Sequence, residues 1–307
     1  MNRLIQVPNV LLALLCAVSA SEYALGQAVS EVPRPEYYIA RDLYEAGRVL
    51  ESSDGFRIAS SRSLRIGEQP WIDSIPPLVL MGECYYAQGK LALAMEQYDA
   101  ALMIALAFPQ WLDQVRVATE LTPIQEPNSK AVNWFPSPRK TQILSYPELV
   151  QLTADVGAGQ AGTGGAAVVT NIDTAEVLRT MAIAVARRGE ILGPLAKHSP
   201  LAQPLDQLFS SEGKQPNVWL NGAWGVLRGL HAMQVTSGVD AGALLREHSV
   251  LNNVFDYFMT PIAFVALAKL EIDKGNLAGA IPFVQEATLS AGQQEQYSQL
   301  AETLSLL

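Results

Sequence analysis

The sequence predicts an all-α chain, a solenoid of helical hairpins interrupted by an irregular Pro- and Gly-rich insertion. Three observations carry this prediction. One spacing of small, aromatic and glycine landmarks recurs along the chain. Prolines at 109, 123, 127, 136, 138 and 147, followed by the Gly/Ala-rich tract Gly157 to Ala167, break the helical pattern in one place. Of the 307 residues, 49% are hydrophobic and only 17% charged, which excludes a wholly disordered chain.

The first element is a leader. Met1-Asn2-Arg3 is a short basic start, Asn9 to Val18 an apolar core, and Val18-Ser19-Ala20 a small-residue exit. This is the pattern of a secretory signal peptide over residues 1–20, with cleavage as late as residue 26 at the second exit, Ala24-Leu25-Gly26. Interrupted by Pro8, the stretch falls short of the ~20 apolar residues that span a bilayer. The mature chain is therefore expected to be exported, periplasmic or extracellular, with no stable membrane anchor. Of two cysteines the leader takes Cys16, leaving Cys84 without a disulfide partner.

Residues 35–109 hold the clearest repeats. From Gly82 the landmarks Tyr85, Gly89, Ala94, Tyr98 and Ala101 follow at steps of 3, 4, 5, 4 and 3. Ala40, Leu43, Gly47, Ser52, Phe56 and Ala59 repeat those steps, as do Ala268, Glu271, Gly275, Ala280, Val284 and Ala287. Steps of three and four place each group on one helical face. A glycine ends the first helix where a left-handed residue is favoured. Ala94 and Gly82 then let two helices approach, with Tyr85 and Tyr98 beside them. Between the first two repeats an insertion includes Gly67 to Trp71.

These landmarks resemble the tetratricopeptide repeat, a helix–turn–helix unit of about 34 residues. The resemblance is most specific at 77–109, good at 37–64 and fair at 261–292, where Glu271 stands for the usual aromatic. The order of paired helices, the Asn133-Trp134-Phe135 excursion and the Glu286-Ala287-Thr288 ending also resemble exported bacterial proteins of this class whose function is unknown.

Residues 110–173 read as an irregular insertion with a flexible glycine tract. Residues 174–307 read as further helical repeats. There 174–189 forms a first helix ending at Gly189, and 219–234 pairs with 239–251. Residues 293–307 form a capping helix. In that cap Tyr297, Leu300, Leu304 and Leu307 form a stripe directed onto Val284 and Ala287. Gln293, Gln294, Glu295, Gln299 and Glu302 form its polar outer face, although the final leucines leave room for the array to continue through a partner.

Composition excludes several functions. A net charge of −9 is ill suited to nucleic acid or anionic lipid. Gly157 to Gly162 matches GxGxxG, but no βαβ rhythm surrounds it, so a linker is expected. His198, His231 and His248 share no ligand spacing. No Gly-x-Ser-x-Gly elbow is present, and Cys84 lies on a packing helix, as an inert thiol does. The expectation is a non-enzymatic chain without cofactor or metal.

Stacked hairpins make a curved surface that binds peptides or proteins. The resemblance implies groove-facing residues at Tyr37, Arg41, Tyr44 and Glu45 in the first repeat, Glu83 and Tyr86 in the second, and Lys269, Ile272 and Asp273 in the last. Trp134 and Phe135 are a further loop contact, or else cover the solenoid's apolar surface. The leading expectation is a protein–protein interaction module. The alternative is carbohydrate or cell-wall binding through Tyr and Trp faces.

Overall fold

A computed structural model describes residues 30–115, 134–137, 142–143, 150–154, 168–211, 218–235 and 238–307. The leader, the glycine tract, Asn133 and most prolines of the insertion lie outside the described residues. Residues 31–307 form one compact unit. Its described part is mostly helical, as the hydrophobic patterning requires.

Four helices come from the N-terminal repeats: α1 (Pro35–Glu45), α2 (Val49–Ser61), α3 (Ile75–Ala87) and α4 (Leu91–Ala107). After the insertion come α5 (Thr174–Leu192), α6 (Ala202–Ser211), α7 (Val218–Ala232) and α8 (Ala241–His248). The C-terminal set is α9 (Thr260–Asp273), α10 (Leu277–Gln293) and α11 (Tyr297–Leu306). Helices α1 and α2, α3 and α4, and α9 and α10 pack as pairs.

The three aligned repeats share one turn. Gly47, Gly89 and Gly275 have φ of 77°, 72° and 74°, a conformation that glycine reaches without a Cβ penalty. In each turn the next residue's N–H closes back on the helix: Arg48 to Leu43 at 2.8 Å, Lys90 to Tyr85 at 2.9 Å, Asn276 to Glu271 at 2.8 Å. In all three, landmark side chains are buried at Ala40, Phe56, Ala94, Tyr98, Ala268 and Val284, while Leu43, Tyr85 and Glu271 are half-buried. At Gly82 a Cβ would meet the Tyr98 ring at 2.6 Å, so the bare backbone is what lets α3 and α4 touch.

The insertion departs from expectation. Its described residues include β2 (Val150–Ala154) and β3 (Val168–Ile172), antiparallel from Val150 opposite Ile172 to Ala154 opposite Val168. With β1 (Ser30–Val32) they form a sheet in the order β1-β3-β2. The β-branched run Val168-Val169-Thr170 fits a pleated strand, and the strand positions α5 directly. Asp173 donates its N–H to the Val32 carbonyl at 2.9 Å and accepts the Glu176 N–H on Oδ1 at 2.9 Å, capping the helix.

Helix α5 is the hub. Twelve of its 19 residues are buried, with 176–185 buried without a break, as befits a helix enclosed on every side. It packs on α3, α4, α7 and α9. It does not stop at Gly189, which continues the helix against the Gln234 side chain. The left-handed residue is Gly193, with φ of 50°.

Candidate functional site

Helices α1, α3, α5, α9 and α11 meet on one side, the inner side, which is lined by polar side chains. Glu176, Arg179, Ile183, Arg187 and Glu190 step by three or four along α5 and so share one stripe. Glu176 pairs bidentately with Arg179, at 2.8 and 2.7 Å, and lies 3.8 Å from Arg41. Burial pushes the Glu176 carboxyl up, but Arg179 and Arg41 overcome it and hold the acid below its ordinary value.

About two turns beyond Arg179, Arg187 joins three helices. Its guanidinium meets Glu83 of α3 at 3.1 Å, Glu190 of α5 at 2.9 Å and Glu302 of α11 at 2.8 Å. Lys269 of α9 pairs with Glu302 at 2.8 Å and with Glu190. Burial disfavours the charges of Glu190 and Glu302, yet Arg187 and Lys269 hold both carboxyls below their ordinary values. Arg187 is likewise raised, because Glu83, Glu302 and Glu190 outweigh its desolvation.

The groove residues expected from the sequence divide three ways. Tyr37 and Glu83 are corrections: neither faces an open groove, because α5 fills that side. Tyr37 is fully buried with its hydroxyl on Glu176. Glu83 is buried, accepting the Tyr98 hydroxyl at 2.5 Å and Arg187. Ile272 is a third correction, since it packs on the small cluster of Ala268, Ala280 and Val284.

The second group is half-buried on the inner side. Arg41 stacks 5.0 Å over the Tyr38 ring. Tyr44 packs edge-on to Phe56. The Glu45 carboxylate accepts the Ser298 N–H at 2.8 Å, and burial raises it. Tyr86 lies under the Arg187 guanidinium at 4.8 Å and donates to Glu190 at 3.3 Å. Lys269 belongs here through its ion pairs. The third group is exposed: Asp273 and Trp134. Beside Trp134, Phe135 is half-buried, and Ser137 donates to Glu286 at 2.7 Å, tying this loop to α10.

Two cavities open on the inner side, each of about 760 Å³. One has an apolar floor of Ile183, Leu230, Ile262 and Val265 under a charged rim of Arg187, Lys197, Lys269 and Asp273. The other is polar, with Arg41, Glu45, Asp173, Glu176 and Arg179 in its walls. Burial and the neighbouring Glu176 both push Asp173 up, the mark of a crowded acidic wall.

The cap is turned relative to expectation. Gln299 and Thr303 are 5% and 0% exposed, while Tyr297, Leu304 and Leu307 are 52%, 52% and 53% exposed. The rotation follows from Glu302, which must face Arg187 and Lys269. Sequence reasoning missed Glu176, Arg179, Arg187, Glu190 and Glu302. The signal available for the first four was their common stripe on an otherwise apolar helix.

Cys84 is buried beside Ser52 at 3.3 Å, and burial pushes its thiol up to about 11. Among the described residues no group of three His, Cys, Asp or Glu is placed to hold a metal. Nor is any helix there long and apolar enough to cross a membrane. Comparison with family models, with curated proteins and with solved structures returns no match.

Proposed function

We propose that this chain is an exported, non-enzymatic interaction module, a tetratricopeptide-like solenoid that takes a peptide or protein segment on its inner side. The observation that carries the reading is the cavity with an apolar floor and a charged rim. Such a site buries an apolar side chain while its rim fixes the flanking polar backbone or charges. The common turn at Gly47, Gly89 and Gly275 supports the repeat assignment, and the leader pattern supports export. The glycan alternative has less to stand on. Trp71, Trp111, Trp219 and Trp224 are each under 5% exposed, so Trp134 is the one indole open for sugar stacking.

A photo-crosslinking residue placed at Met233, on the cavity wall, tests the reading. Illumination in the exported fraction should give a protein adduct that is missing when the crosslinker replaces the outward-facing Arg57. No adduct at 233, or the same adduct from both positions, rejects the inner side as the binding surface.

A further inference from the structure

We propose that the apolar-floored cavity reads an uncharged peptide unit from the interior of a partner chain. One large apolar side chain lies on the floor, its backbone carbonyl is taken by Gln299, and its backbone N–H by Gln234. The proposal rests on the inner-side reading above and adds the partner's chemistry.

The polar groups lining the cavity divide into spent and unspent. Arg187 and Lys269 are spent on Glu190 and Glu302. Gln299 of α11 is not. It is 5% exposed and forms part of the cavity wall, yet its side chain's one hydrogen bond among the described residues is from the Ser298 hydroxyl to Oε1 at 3.4 Å. Its Nε2 is a donor without a partner there. Buried amides are ordinarily bonded, and one left open beside a cavity offers itself to a ligand's acceptor.

Gln234, two residues beyond α7, supplies the complement. Its side chain lies across Gly189 of α5, where a Cβ would meet the Gln234 Cδ at 2.3 Å. There its Nε2 donates to the Val185 carbonyl. Only the amide nitrogen can donate, so this bond fixes which way the amide faces and leaves Oε1 free to accept. One wall thus offers an N–H and another an oxygen, and a peptide unit presents a carbonyl and an N–H in return.

Charge decides against other occupants. The lining holds three cations, Arg187, Lys197 and Lys269, and three acids, Glu190, Asp273 and Glu302. Glu83, on the far side of Arg187, adds a fourth acid. A carboxylate brought here, from a chain terminus, an acidic side chain or a fatty acid, gains no net attraction and gives up its hydration. The floor of Ile183, Leu230, Ile262 and Val265 rewards an apolar side chain. An internal apolar residue meets both demands.

The test uses the full chain with labelled Ile, Leu, Val and Met methyl groups, and N-acetyl-leucine N-methylamide as the probe. The probe should move the methyl signals of Ile183, Met233 and Ile262 saturably. N-acetyl-leucine, with its free carboxylate, should bind at least about tenfold more weakly. Gln299→Met keeps the volume and removes the donor, so it should weaken the methylamide about fivefold. Xenon, which reads only the apolar floor, should shift the same signals equally in both chains. If Gln299→Met loses its folded methyl spectrum, Gly189→Ala serves: its methyl unseats the Gln234 amide and should weaken the probe in the same direction.

Unmoved floor signals overturn the proposal, as does equal binding of methylamide and free acid, or unchanged affinity in Gln299→Met. Octanoate binding more tightly than the methylamide assigns the cavity to a fatty acid instead. A crosslinked adduct at 233 with unchanged affinity in Gln299→Met keeps the inner-side reading and removes the amide assignment alone. No adduct, with the probe bound, removes the protein partner and keeps the cavity's chemistry, so the two tests fail separately.

Discussion

Gly82 and Glu83 are neighbours on α3 and belong to regions built by opposite chemistry. Gly82 faces the α3–α4 interface, where Tyr98, Ala94 and Ala101 are fully buried and contact is close. Glu83 faces the inner side, where it meets a guanidinium from a helix 104 residues away. The hairpin interface is local and apolar, and its cost of disturbance is a matter of volume. The inner side is distant in sequence and ionic, and its cost of disturbance is a matter of leaving a charge unpaired. Tyr98 joins the two, with its ring against Gly82 and its hydroxyl on Glu83.

The sharpest way to break the comparison is Tyr98→Ala, which should cost about 3–5 kcal/mol in urea unfolding by opening a cavity. Tyr98→Phe removes only the hydroxyl and should cost about 1 kcal/mol. Equal losses for the two would mean that the ring contributes nothing and the interface is not apolar after all.

Next in size is Arg187→Met, which strands Glu83, Glu190 and Glu302 and should cost about 3 kcal/mol, as breaking one side of a buried pair does. The double variant Arg187→Met, Glu83→Gln should recover part of that loss. A double-mutant cycle without coupling would separate Glu83 from the inner-side network.

Gly82→Ala tests the hairpin more gently. Its methyl meets the Tyr98 ring, so overpacking of about 1–3 kcal/mol is expected, against the slight gain of an ordinary Gly→Ala in a helix.

The last effect is read as a pH slope at each pH rather than as a single loss; it comes from Asp73, buried just before α3 with the Leu64 N–H on Oδ2 and no partner on Oδ1. Burial raises its carboxyl to about 7. The sign follows from a raised folded-state value: the stabilisation is complete below the ordinary carboxylate range and is lost as pH rises through about 7. Asp73→Asn should therefore flatten the fall in melting temperature between pH 4 and 7.5, a slope of at most about 1.4 kcal/mol per pH unit. Glu190 and Glu302 act in the opposite direction, their stabilisation complete above the ordinary carboxylate range and lost as pH falls through it, so they bear only on the acid end of this window and equally in both chains. An unaltered slope in Asp73→Asn would show that the carboxyl is solvated.

The same contrast explains what was legible. The turns at Gly47, Gly89 and Gly275 and the buried landmarks Phe56, Tyr98 and Val284 depend on neighbours a few residues away, so spacing reveals them. The strands at 150–154 and 168–172 were obscured because prolines and glycines nearby read as interruption, although Val168-Val169-Thr170 is a strand composition. The burial of Tyr37 and Glu83 depends on α5 meeting α1 and α3 through Glu176 and Arg187, and no periodicity encodes that. The turned face of α11 depends on where Arg187 and Lys269 lie, more than thirty residues upstream in each case. Apolar spacing alone pointed Tyr297, Leu304 and Leu307 inward.

The contact between Glu45 and Ser298 spans 253 residues. Synthesis proceeds from the N-terminus, so the α1–α2 hairpin emerges first and its Glu45 carboxylate waits in water until nearly all of the chain has followed. The hairpins can pack in the order they appear, but the seam between α1 and α11 cannot form before α11 has been made. A chain truncated anywhere before Ser298 carries its early hairpins without that seam, and its Glu45 carboxylate stays without the Ser298 N–H.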